Sequence, residues 1–122
     1  MRVAVITGGA RRIGAAITNM LLDDGWSVII HCNRSVTQAR HLIKRGRGAI
    51  VSGDLSSDEE LFRIIEEIHD HKLVEEAGGI DLLIHNASIY NTEDFATVTP
   101  QELRRFTSIH LDAPFFITQG LA

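Results

Sequence analysis

A parallel α/β sheet with crossover helices on both faces is the fold class this sequence predicts, and three observations predict it. Four short apolar runs alternate with helix-period stretches along the 122 residues. The first run passes directly into a glycine turn and then into a helix. The chain has 1 cysteine and no repeat, linker or low-complexity tract, so one domain with one continuous core has to hold it.

The strand-like runs are Val3 to Ile6, Ser27 to His31, Ala49 to Val51 and Asp81 to Ile84. The first helix spans about Ile13 to Asp24, sets Ile13, Ala16, Ile17, Met20 and Leu21 on one apolar face, and stops at Gly25. A second, weaker helix runs from about Ser35 to Arg45. The third opens at Ser56-Ser57-Asp58-Glu59-Glu60, where either serine can form a capping box with the glutamate three residues on, and then shows Leu61, Ile64, Ile65 and Ile68. The fourth begins Thr99-Pro100-Gln101-Glu102, a cap followed by proline at the first helical position and glutamate at the third. It continues through Leu103, Phe106, Ile109, Ala113 and Ile117.

A net charge of -4, with acids and bases interspersed, excludes the basic stripe of a nucleic-acid surface. Cys32 alone gives neither a disulfide framework nor a thiolate metal site, and His69-x-His71 sits on a charged helix end without an HExxH pattern, so no metal is expected. The strand follows Met1-Arg2 with no leader, and no apolar run approaches the roughly 20 residues of a membrane span. The expectation is a cytoplasmic protein with no membrane partner.

Chemistry is concentrated in Thr7-Gly8-Gly9-Ala10-Arg11-Arg12-Ile13-Gly14. Strand, glycine turn and helix in that order build an anion cradle, since glycines let the backbone turn sharply while the unpaired N–H groups of the helix face a phosphate. The generic Gly-x-Gly-x-x-Gly fingerprint is absent. A phosphate loop would need Gly-Lys-Ser/Thr, whereas Gly14 is followed by Ala15-Ala16. What remains is Thr-Gly-x-x-x-Gly-x-Gly with Arg12 at the middle glycine. It resembles the short-chain dehydrogenase/reductase family, and its Arg-Arg-Ile-Gly variant is similar to the pteridine reductase branch.

The resemblance covers the whole chain and implies a Rossmann-type sheet of strand order 3-2-1-4, with residues 1–122 forming an NADP-binding domain that lacks the family's C-terminal half. Thr7, Gly8, Arg11, Arg12, Ile13 and Gly14 would then cradle the cofactor. Asn33-Arg34-Ser35 closes the second strand, with Arg34 twenty residues after Gly14. A carboxylate there would bind the ribose hydroxyl of NAD, whereas a guanidinium takes the 2′-phosphate, which favours NADP(H). Asp54-Leu55 resembles the pair that contacts adenine. His85-Asn86-Ala87-Ser88 stands where the family shows Asn-Asn-Ala-Gly. Asn86 would hold the strand ends together, Ala87 would give the cofactor room, and Ser88 would lie beside nicotinamide and substrate.

Tyr90 matches the position of an aromatic ring that stacks a flat heterocycle in pteridine reductases; as a residue alone it is equally a loop tyrosine. Arg12 would meet either cofactor phosphates or substrate. His110 stands at the position of the family's catalytic asparagine, and is either a proton-relay element or a core histidine. The family's acid is a Tyr-x-x-x-Lys pair, and here Tyr90, the 1 tyrosine, has Asp94 four residues on. The implied function is therefore an NADPH-dependent short-chain oxidoreductase, pteridine reductase-like, present as its cofactor-binding portion. A 3-oxoacyl reductase-like enzyme and an inactive nucleotide-binding module stay open as alternatives. Expected partners are a small-molecule substrate, a pteridine or related heterocycle, and further copies of the chain, because the fourth strand is left as an edge and Phe115 or Phe116 is exposed.

Overall fold

The computed structural model describes residues 1–90 and 94–122. Four parallel strands, β1 (Val3–Ile6), β2 (Ser27–Cys32), β3 (Gly48–Ser52) and β4 (Leu82–Ile84), lie in the order β3-β2-β1-β4. Val5 pairs with Ile29 on one side and Leu83 on the other, and Ile29 pairs with Ala49. The two central strands are buried along their whole length, as expected where helices cover both faces.

Alternation along β1 and β2 divides the core in two. Val3, Val5 and Ile29 point to one face, against α3 (Asp58–His69) and α6 (Ala113–Leu121). Ala4, Ile6, Val28 and Ile30 point to the other, against α1 (Arg12–Asp23) and α2 (Val36–Ile43). Burying Ile6, Ile29, Ile30, Ile64 and Ile68 completely contributes about 1.5–3 kcal/mol for each side chain.

Four local details differ from the sequence expectation. The inward face of α1 is Gly14, Thr18 and Leu22, while Ile13 and Met20 are exposed. The helix is rotated because Gly14 must face the glycine turn at a spacing no side chain allows. In α3 the cap is Ser57, which accepts from Glu60 N–H, but the Glu60 carboxylate reaches past the cap to Asp54 N–H at 3.1 Å. A short α4 (Lys72–Ala77) precedes β4; His71 caps it by accepting from Leu73 N–H on Nδ1 at 3.0 Å. Asp81 stays outside β4 because its carboxylate accepts the amide of Val3 at 2.8 Å.

The capping box at Thr99 and Glu102 forms as the sequence predicts and starts α5 (Pro100–Thr107). The helical path then widens into a π turn at Ser108–Asp112 before continuing as α6. Ile109 within the turn and Ala113 and Ile117 after it are buried, whereas Leu103 before it is exposed and α5 buries no residue. Among the described residues, no helix is long and apolar enough to cross a membrane.

Candidate functional site

Three segments meet at the carboxyl ends of β1, β2 and β4 and enclose a crevice of about 680 Å³. The turn after β1 supplies Gly8, Ala10, Arg11, Arg12, Ile13 and Gly14. The end of β2 supplies Cys32, Asn33, Arg34 and Ser35, and the segment after β4 supplies Asn86, Ala87, Ser88 and Tyr90. In open parallel sheets this is where ligands bind.

Thr7 ties the turn to β4. Its buried hydroxyl oxygen accepts the amides of Asn86 and Ala87 at 3.1 and 3.0 Å, and the Asn86 side-chain amide donates back to the Gly8 carbonyl at 3.0 Å. Gly8 holds φ +62°, and a Cβ on it would sit 3.0 Å from the Ala87 backbone. A Cβ on Gly14 would collide with the Gly8 carbonyl oxygen, so glycine at 14 is a packing requirement. Arg12, alone among the described non-glycine residues, has positive φ, at +52°. A residue with a Cβ is strained there, which explains why glycine is the pattern's choice at this position.

The mouth of α1 is prepared for an anion. Arg11 forms no side-chain cap, no acidic residue stands in the first turn, and the amides of Arg12, Ile13 and Gly14 have no hydrogen-bond partner among the described residues. Arg11, Arg12 and Arg34 make no ion pair among the described residues either. Free amides, the positive helix end and three guanidinium groups suit a ligand with several phosphates, and the close approach that Gly8 and Gly14 permit suits its backbone contacts.

Thr7, Asp54, Leu55 and His110 do not line this crevice. Asp54 sits beyond β3, where one carboxylate oxygen accepts from Ser56 N–H and Oγ–H at 2.9 and 2.7 Å. Burial pulls its carboxyl upward, but those bonds and the Arg105 and Arg34 charges outweigh it, so Asp54 lies below the usual aspartate value. Thr7, Leu55 and His110 line an adjoining cavity of about 260 Å³ with His85, Ile109 and the start of α6. Ala87 borders both spaces. His110 stands in the π turn, stacks on Phe106 at 4.8 Å, and donates Nδ1–H to the Phe106 carbonyl at 2.9 Å. Its Nε2 is then free to accept Ser88 Oγ–H, 3.1 Å away.

Sequence reading missed Ala10, Cys32 and His31. Cys32 lines the crevice wall with its thiol pushed up by burial. His31, 3% exposed, receives the Gly8 amide on Nδ1, a role signalled only by an imidazole in an otherwise apolar strand.

The family pattern described as short chain dehydrogenase matches residues 2–122. The chain belongs to this family. A curated short chain dehydrogenase relative, 3alpha-hydroxysteroid dehydrogenase of Mediterraneibacter gnavus, is 30% identical over 99% of this chain and 49% of its own length. Dihydromonapterin reductase of Enterobacter sp. is 29% identical over 98% of this chain and 48% of its own. The solved structure of FolM Alternative dihydrofolate reductase 1 from Brucella canis complexed with NADP matches with TM-score 0.80 and 29% identity, covering 98% of this chain and 48% of that one. This short chain dehydrogenase thus spans about half the length of the curated relatives it matches.

Proposed function

We propose that the chain is the cofactor-binding part of an NADPH-dependent reductase acting on a flat heterocycle of the pteridine class. The observation that carries the reading is Arg34, an exposed guanidinium on the wall of a crevice whose floor is the uncapped end of α1. Arg12, Ile13 and Gly14 amides would receive the pyrophosphate, with Thr7 and Gly8 fixing their placement. Arg34, with Asn33 and Ser35 beside it, would clasp the 2′-phosphate. Asp54 keeps one carboxylate oxygen outside its Ser56 bonds to accept the adenine amino group, and Leu55 anchors that segment in the core. When bound, NADPH supplies a hydride.

Ser88, Tyr90 and Arg12 are among the residues lining the crevice, and an aromatic face and a cation suit a planar, electron-rich ring. The pteridine reading is supported by these three residues and by the similarity to a dihydromonapterin reductase and a dihydrofolate reductase. His110 Nε2 would hold the Ser88 proton and orient that hydroxyl beside the substrate. The 122 residues contain no Tyr-x-x-x-Lys pair, so the turnover proposed is that of the whole protein. The same reading places the enzyme in the cytoplasm as a homo-oligomer, with exposed Leu111 and Phe115 as candidate contacts.

Fluorescence titration with NADPH and NADH, followed by NADPH oxidation with a dihydropteridine, tests the proposal. Tighter binding of NADPH and oxidation dependent on the dihydropteridine are expected. Equal affinity for the two dinucleotides would remove the Arg34 argument, and binding without oxidation in the full protein would favour an inactive nucleotide-binding module.

A further inference from the structure

The imidazole of His31 is enclosed at the point where the glycine turn, β2 and the end of β3 touch. Its Nδ1 receives the Gly8 amide at 3.2 Å, and its Nε2 lies 2.9 Å from the Gly53 carbonyl. A carbonyl only accepts and an amide N–H only donates, so the proton is on Nε2 and the lone pair on Nδ1. The next amide, that of Gly9, donates to the His31 backbone carbonyl at 3.1 Å. One residue therefore consumes both leading amides of the turn. The amides left for a ligand are those of Ala10 and Arg11 and those at the start of α1.

We propose that His31 is a positioning residue for dinucleotide binding: its neutral ring locks the glycine turn in the phosphate-binding shape, and a proton on Nδ1 unlocks it. A second proton would put two donors face to face at Nδ1 and Gly8 N–H in a buried space, and the turn would have to open to separate them. On α3, Arg63 reaches this end of β3 and donates to the Ser52 carbonyl at 2.8 Å, and the Glu60 carboxylate accepts the Asp54 amide at 3.1 Å. Asp54, following Gly53, favours the protonated ring, while Arg34 and Arg105 in turn face Asp54; Cys32, next in the chain, is a neutral thiol. Burial outweighs the Gly53 bond and the Asp54 charge, and the ring titrates below the ordinary histidine value. The inference rests on the dinucleotide reading of the crevice.

The test compares the full chain with His31→Asn, whose side-chain oxygen can take the Gly8 amide without titrating, and with His31→Leu, which offers no acceptor. Ring-nitrogen NMR shifts are expected to show the Nε2–H tautomer of His31, and the Gly8 amide resonance should move with the same titration. NADPH affinity of the unmutated protein should fall about tenfold for each pH unit below the His31 pKa of the free chain. His31→Asn should bind within a few-fold at neutral pH and lose that extra fall, whereas His31→Leu should bind weakly at every pH. The ligand's own 2′-phosphate titrates in the same range but equally for all three proteins. An Nδ1–H tautomer, or superimposable affinity–pH curves for the unmutated protein and His31→Asn, would overturn the proposal. Absence of NADPH binding at neutral pH would instead defeat the dinucleotide reading itself.

Discussion

Arg12 combines two demands that pull against each other. Its left-handed backbone costs on the order of 1 kcal/mol for a residue with a Cβ, while its guanidinium stands on the crevice wall. Arg12→Gly is therefore expected to hold or raise the thermal midpoint and to weaken NADPH binding; a lowered midpoint by calorimetry would show that the strain is absent. Arg34 belongs to a different argument, since it contributes nothing to the core. Arg34→Ala should weaken NADPH by about 1.5–3 kcal/mol, the worth of a charge-assisted hydrogen-bonding contact, and leave NADH nearly unchanged in the same titration. Arg34 is readable from its spacing after Gly14, and Ser88 from the resemblance of His85-Asn86-Ala87-Ser88 to the family motif; both line the crevice. His31 is not readable in this way, since nothing in a linear pattern tells which atoms a buried ring satisfies.

Helix ends and strand ends carry the next level. The Thr99 capping box orders the first turn of α5, yet α5 buries no residue, so the effects on local and global stability separate. Thr99→Ala should speed amide exchange at Glu102 and Leu103 by an opening energy near 1 kcal/mol while shifting the global midpoint little. Thr7 is the opposite case, buried and bonded to two amides of the neighbouring segment. Thr7→Val keeps its volume but leaves both amides without an acceptor, and a loss of about 2 kcal/mol or more in urea-unfolding free energy is expected. At this level the strands, the order of the longer helices and the capped starts at Ser57 and Thr99 are legible in the sequence. On α1 the expected Ile17 and Leu21 do pack against the core, but Ile13 and Met20 do not, because periodicity ranks residues by hydrophobicity whereas the turn demands contact at Gly14. The six-residue α4 was too short for a period to register, and its cap is a histidine whose role only the fold defines.

Across the whole molecule, acid acts in one direction. His31 titrates below the usual histidine value, so the folded state holds fewer protons than the unfolded one from about pH 6.5 downward. Stability present above that range is lost as pH falls through the lowered value. Asp54, below the usual carboxylate value, adds stability that is likewise lost at still lower pH. Urea midpoints should decline from neutral pH toward pH 4.5, and His31→Asn should flatten that decline; a flat profile for the unmutated protein over this range would contradict the His31 shift. The parallel sheet is legible at this scale in the alternating runs, and its strand order β3-β2-β1-β4 in the family resemblance that the glycine turn and strand-end motifs carry. The π turn was invisible, since a single inserted backbone step leaves no periodic trace in so short a stretch. Its presence sets the angular phase between α6, which is anchored in the core, and the more exposed α5. Deleting Leu111, which is exposed, would turn the helical residues just upstream, the buried Ile109 among them, by about 100° around the axis relative to α6. Phe106 and His110 would then be carried off together, and Ser88 would lose its acceptor although its own segment is untouched.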